Sequence, residues 1–158
     1  MSLDIAEAIN RIPLAAMAAV EPSLPRRRTQ ADDSLSIRDR RILVVEDESL
    51  IALLLADAIE EAGGTVVGPC FTLAECVRAA KTEEIDAAVL DVDLAGQDVF
   101  PAAEELRRRN IPFVFHTAHG HREELRRRFG EVAVCRKPVD MDDLIAVLAR
   151  VVGSESSN

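Results

Sequence analysis

The sequence predicts an α/β domain: five βα units in a doubly wound parallel sheet, strand order 2-1-3-4-5. Three observations lead there. From Arg41 onward, short apolar, β-branched runs alternate with amphipathic stretches at a period of roughly 20 to 25 residues. The runs are apolar throughout, as strands covered by helices on both faces are. Four of them end in residues that handle metal or phosphate: Ile42-Leu-Val-Val-Glu-Asp47, Ala88-Val-Leu-Asp91, Phe113-Val-Phe-His-Thr117 and the Arg136-Lys137-Pro138 triplet. In an open parallel sheet the carboxyl ends of all strands share one edge, where ligands bind. Residues far apart in sequence therefore converge on one site.

The elements follow in order. Arg41–Glu46 reads as the first strand. Leu50, Ile51, Leu54, Leu55, Ala58, Ile59 and Ala62 recur at helical spacing and stop at Gly63-Gly64. Thr65-Val-Val-Gly68 is a short second strand, and Thr72-Leu-Ala-Glu75 is a capping box that opens the second helix. Asp86–Leu90 is the third strand. Asp98 is expected to cap a helix that carries Pro101 in its first turn and closes on Leu106 and Arg107–Arg109. Pro112–His116 is the fourth strand, followed by a charged helix over Arg122–Phe129. Glu131–Cys135 is the fifth, and Asp140 caps a last helix that ends near Val152, with Leu144, Val147, Leu148 and Val151 inward.

Three segments result: an N-terminal extension (1–38), the βα domain (39–153) and a polar tail (154–158). In the extension, Ile5, Ile9 and Ile12 line one face of a short helix that Pro13 ends. Glu21 to Arg38, with two prolines and Arg26-Arg27-Arg28, has linker composition. Two readings stay open there: an unstructured arm, or an isoleucine face that docks on this domain or on a partner. Residues 1–38 balance five basic against five acidic side chains, so the net charge of −9 belongs to residues 39–158. That balance argues against nucleic-acid binding, and clustered acids call for a cation. Asp4 and Glu7 stand where a signal peptide is basic, and no apolar run approaches the ~20 residues that span a bilayer. Cys70, Cys76 and Cys135 have no metal spacing and are odd in number, the pattern of reduced thiols in a cytoplasmic protein.

At the shared edge Glu46, Asp47 and Asp91 bring three carboxylates together. Like charges raise one another's pKa unless neutralised, and a hard divalent cation such as Mg²⁺ does that. Thr117 adds a hydroxyl and Lys137 a point positive charge. Pro138 fixes the loop that follows and is a candidate cis bond. A carboxylate nucleophile, a metal, a hydroxyl and a lysine are what phosphoryl transfer to an aspartate requires.

On these four motifs residues 41–152 resemble the receiver domain of two-component response regulators, which is flavodoxin-like. The resemblance implies that Asp91 is the phosphoacceptor. It implies that Asp47 ligates Mg²⁺ directly, that Glu46 acts through water, and that the backbone carbonyl of Asp93 completes the metal site. Thr117 is then the switch hydroxyl and Lys137 the phosphate-binding lysine. The partners implied are a sensor histidine kinase or phosphotransfer protein and an effector protein, with no nucleic acid or membrane. Homodimerisation through helix four, strand five and helix five is a habit of such domains. They are phosphoacceptors rather than enzymes, limited to self-phosphorylation from small donors and self-dephosphorylation. The stretch Pro112 to Gly120, with Val67-Gly-Pro69, resembles stand-alone alphaproteobacterial receivers that carry a Phe-Ala-Thr-Gly-aromatic motif.

The departures fall at the switch. Val134 stands where the family has an aromatic, and the string here is His116-Thr117-Ala118-His119, which makes the His119 ring the candidate replacement. Two functional classes stay open: a phosphorylation-controlled binding module, and a phosphotransfer intermediary or sink without effector. Asp91-Val-Asp93 also matches the DxD of haloacid-dehalogenase-type phosphatases, although that family places it after the first strand. His116-x-x-His119-x-His121 hints at a metal site but reads better as polar loop surface. The arginine triplets 107–109 and 126–128 suit helix C-termini, and the second is placed to meet a partner.

Overall fold

The computed structural model describes residues 35–118 and 120–155. The isoleucine face at Ile5, Ile9 and Ile12, most of the proposed linker, and His119 lie outside the described residues. Seven strands and five helices follow one another. They are β1 (Arg41–Val45), α1 (Ser49–Glu61), β2 (Thr65–Cys70), α2 (Leu73–Thr82), β3 (Ala87–Leu90), β4 (Asp93–Leu94) and β5 (Gln97–Asp98), then α3 (Phe100–Arg108), β6 (Phe113–Thr117), α4 (Arg122–Phe129), β7 (Ala133–Arg136) and α5 (Met141–Glu155). Five strands form one parallel sheet in the order β2-β1-β3-β6-β7. Counted along the main sheet this is the expected 2-1-3-4-5 wiring.

Alternation along each strand sorts side chains into two layers. Leu43, Val45, Ala88, Leu90, Phe113 and Phe115 face Cys76 and Ala80 of α2, Ala103 and Leu106 of α3, and Leu125 of α4. Ile42, Val44, Val89 and Val114 face Leu55 and Ile59 of α1 and Leu144 and Leu148 of α5. Each fully buried aliphatic or aromatic side chain contributes about 1.5–3 kcal/mol relative to exposure. Ile37, on the extension side of the expected boundary, joins the second layer at 1% exposure.

Local signals account for the helix starts. The Thr72 hydroxyl accepts from Glu75 N while the Glu75 carboxylate accepts from Thr72 N, so the capping box forms as expected. An Asp140 carboxylate oxygen accepts from Asp142 N at 2.9 Å and opens α5, which runs to Glu155, three residues past the expected end. Gly64 packs so tightly that a Cβ would lie 2.9 Å from Ile59 Cγ2 and 3.3 Å from the Ile37 carbonyl. Asp98 does not cap α3. It pairs with Asp93 in the β4–β5 hairpin, and the cap position passes to Val99, with no side-chain bond. Among the described residues no helix is long and apolar enough to cross a membrane.

Candidate functional site at the carboxyl edge of the sheet

Strands β1 and β3 pair in register, Val45 opposite Leu90, and Asp91 N donates to Val45 O at 2.9 Å, one residue beyond the ladder. The next residues out, Glu46 and Asp91, therefore emerge side by side. With Asp47 they bring one carboxylate oxygen each within 4.8 Å of the others. Glu46 is fully buried, Asp91 is 7% exposed, and Asp47 is half-buried with Oδ2 accepting from Ala95 N at 3.1 Å.

Lys137 arrives from β7. Its backbone N donates to Thr117 O at 2.9 Å, and its Nζ lies 2.8 Å from both Asp91 Oδ2 and Glu46 Oε2. The contact with Asp91 is a hydrogen bond; the contact with Glu46 is an ion pair whose angle misses hydrogen-bond geometry. Burial opposes the lysine's charge, but its bonds to Asp91 and Glu46 outweigh burial and raise its pKa. Burial, reinforced by the Asp91 charge, pushes the Glu46 carboxyl up to about 7 against the pull of Lys137. Three carboxylates face one ammonium, an acidic excess that a divalent cation would offset. The hard oxygen donor set fits Mg²⁺, which receivers bind at an acidic pocket of this kind.

Thr117 ends β6 and is buried beside Arg136 of β7. Val134, opposite Phe115, is half-buried. With Thr117, Ala118, Gly120, Arg122 and Arg136 it lines a slot of about 240 Å³. The Lys137-Pro138 bond is cis.

His116 corrects the reading of it as loop surface. It lies in β6, as the expected strand Pro112–His116 has it, but at 2% exposure, with Nδ1 3.9 Å from Glu46 Oε2. Neither ring nitrogen has a hydrogen-bond partner, and burial together with Lys137 lowers its pKa to about 4. Among the described residues the only cluster of three or more metal-ligating groups is Glu46, Asp47 and Asp91; His119, the middle member of the histidine string, lies outside them. The burial of His116 was missed because a histidine at a strand end looks like the start of a loop. The alternation that puts Val114 inward on the α1–α5 side was the available signal. Asp93 is exposed, and its Oδ1 accepts from Gly96 N at 2.6 Å. That carboxylate closes the β4–β5 hairpin, and the metal-ligating cluster is made by Glu46, Asp47 and Asp91 without it. Cys70, Cys76 and Cys135 are free and buried.

Comparison with known proteins bears on this geometry. Residues 42–149 match the model of the response regulator receiver domain. The transcriptional regulatory protein PdtaR of Mycobacterium tuberculosis is 34% identical over 116 residues, which are 72% of this chain and 57% of PdtaR. The acid tolerance regulatory protein ActR of Rhizobium meliloti is 31% identical over 85% of this chain and 71% of its own. Among solved structures, a response regulator receiver protein from Sinorhizobium medicae superposes with a TM-score of 0.67 at 22% identity, over 75% of this chain and 98% of that one. This chain thus spans little more than half the length of PdtaR. With four motifs converging on one sheet edge and the family model matched over most of the domain, the chain belongs to the response regulator receiver domains of two-component systems.

Proposed function

We propose that Asp91 accepts a phosphoryl group from a sensor histidine kinase or phosphotransfer protein, and that the modified domain signals by binding another protein. The observation that carries this reading is the Lys137 ammonium, 2.8 Å from both Asp91 and Glu46 inside a cluster of three carboxylates. An Asp91 carboxylate oxygen attacks phosphorus, the O–P bond forms, and the donor's N–P bond breaks with the pair returning to the imidazole. Lys137 moves from the carboxylate to the incoming phosphoryl oxygens, and the Thr117 hydroxyl donates to another. Glu46, Asp47, Asp91 and the Asp93 carbonyl would hold Mg²⁺, which would supply positive charge to neutralise the transferring oxygens.

The same chemistry lets a small acyl phosphate serve as donor and lets water remove the group. The phosphoryl group, a net gain of about one negative charge over the free carboxylate together with three acceptor oxygens, draws Thr117 and Lys137 inward and biases the surface made by α4, β7 and α5. Val134 is too small to report that shift as an aromatic would, and the His119 ring takes the role. Equal gains in partner affinity on phosphorylation in wild type and His119→Ala would rule that out.

Incubation with Mg²⁺ and acetyl phosphate tests the central step. Wild type is expected to gain one phosphoryl group by intact mass, and Asp91→Asn none. Beryllofluoride is expected to shift NMR signals from the pocket to α5 in wild type only. A wild-type mass unchanged in the presence of Mg²⁺ would refute the phosphoacceptor assignment.

A further inference from the structure

The chain reaches the domain at the far end of α1. The Ile37 carbonyl and Ile59 both crowd Gly64, and Asp39 N donates to Gly63 O at 2.9 Å. From that end the outward face of α1 runs back toward the acidic pocket, and its character changes halfway. Glu61, Glu60 and Asp57 are exposed and acidic; Leu54, Leu53 and Leu50 follow, exposed at 48, 56 and 70%. Positions 50, 54, 57 and 61 recur at helical spacing with 53 beside them, so these residues form one stripe. Single exposed leucines are ordinary, but three contiguous on one helical face mark a covered surface.

We propose that the N-terminal segment of this same chain covers the stripe, with Ile5, Ile9 and Ile12 packed on Leu50, Leu53 and Leu54 and Arg26-Arg27-Arg28 paired with Asp57, Glu60 and Glu61. Pattern, charge and reach agree. Ile5, Ile9 and Ile12 have the i, i+4, i+7 spacing of one helix face, and Pro13 ends the run. The three arginines precede Ile37 by about ten residues, which delivers them to the acidic half of α1 first. The leucines lie about 17 Å farther along the helix at 1.5 Å per residue. The tether from Ile12 to Leu35 has a root-mean-square span of roughly 26 Å as a flexible chain. It therefore reaches without strain, and tethering places the segment at an effective concentration of about millimolar.

Leu50 lies three residues beyond Asp47, so the docked segment sits beside the acidic pocket.

The test places a nitroxide on Asn10→Cys in the full chain, where Cys70, Cys76 and Cys135 are buried. Amide signals from Leu50 to Asp57 are expected to lose most of their intensity, and to regain it in Ile5→Glu/Ile9→Glu and in Leu50→Lys/Leu54→Lys. Unchanged α1 signals overturn the proposal. So does broadening centred on Val134 and Arg136, or equal broadening of α1 when the nitroxide and the isotope label are on separate, mixed copies, which assigns the stripe to a second copy. None of these readouts depends on Asp91 being modified.

Discussion

On the α2–α3–α4 face of the sheet, Phe100, Phe113, Phe115 and Phe129 meet tilted or edge to face, with centroids 5.3 to 6.0 Å apart. The cluster on the α1–α5 face holds no aromatic ring, and toward the carboxyl edge its packing gives way to Glu46 and His116, buried and polar. One face satisfies every group it buries. The other buries Glu46 and His116, the latter with no hydrogen-bond partner on either ring nitrogen. The aromatic packing is thus concentrated beneath α2, α3 and α4. The face that meets α1 and α5 accepts a polar burden where the chemistry needs it.

The largest expected effect breaks the comparison on its stable side. Phe115→Ala removes the ring that touches both Phe113 and Phe129 and is expected to cost about 3–5 kcal/mol in urea denaturation. A loss no greater than that of Val114→Ala, its neighbour on the opposite face, would show the two layers to be equivalent.

His116→Leu sharpens the polar side. With its pKa near 4 in the fold and near 6.5 unfolded, His116 keeps the folded state from taking a proton that the unfolded chain binds. Stability is therefore lost as pH falls from 6.5 to 4, by up to the order of 3 kcal/mol. Glu46 has the opposite sign. Its carboxyl, at about 7 folded and 4.5 unfolded, binds a proton only in the fold across that interval, so its contribution is lost as pH rises from 4.5 to 7. The two slopes offset one another between about 4.5 and 6.5. In His116→Leu only the Glu46 slope remains, and the urea midpoint measured in chelator is expected to fall as pH rises through that window. A midpoint with the same pH slope in wild type and His116→Leu across that window would show that His116 is not held neutral.

The smallest effect lies at the rim of the aromatic cluster. Arg128 stands 4.6 Å from the centroid of the buried Phe100 ring and 2.7 Å from a Glu104 carboxylate oxygen, both charged side chains partly in solvent. Arg128→Ala is expected to cost about 0.5–1 kcal/mol and to lose most of that effect in high salt if the ion pair dominates the stacking.

Much of this was legible in the chain, for identifiable reasons. α4 spans Arg122–Phe129 as its charge pattern indicates, and the Thr72–Glu75 box forms because both halves of the signal are local. Glu46, Asp47, Asp91 and Lys137 converge because parallel strands share one carboxyl edge. The β4–β5 hairpin was hidden. Its two-residue turn holds Ala95 at φ 52° and Gly96 at φ 85°, where an asparagine or aspartate before the glycine is the usual signal. Missing that hairpin misplaced the cap of α3 at Asp98. The burial of His116 depends on where β6 ends, a one-residue question that periodicity leaves open. The contact of Lys137 with two carboxylates at once depends on three strands meeting, which no local pattern encodes.

The slot beside Val134 has an optical consequence. The chain contains neither tryptophan nor tyrosine, so the protein is dark to selective tryptophan excitation. A single Val134→Trp would place the sole emitter between Thr117 and Arg136, at the seam between the pocket and α4. Its emission maximum would follow the wetting of that seam during a phosphorylation cycle, in real time and without a fluorescent label.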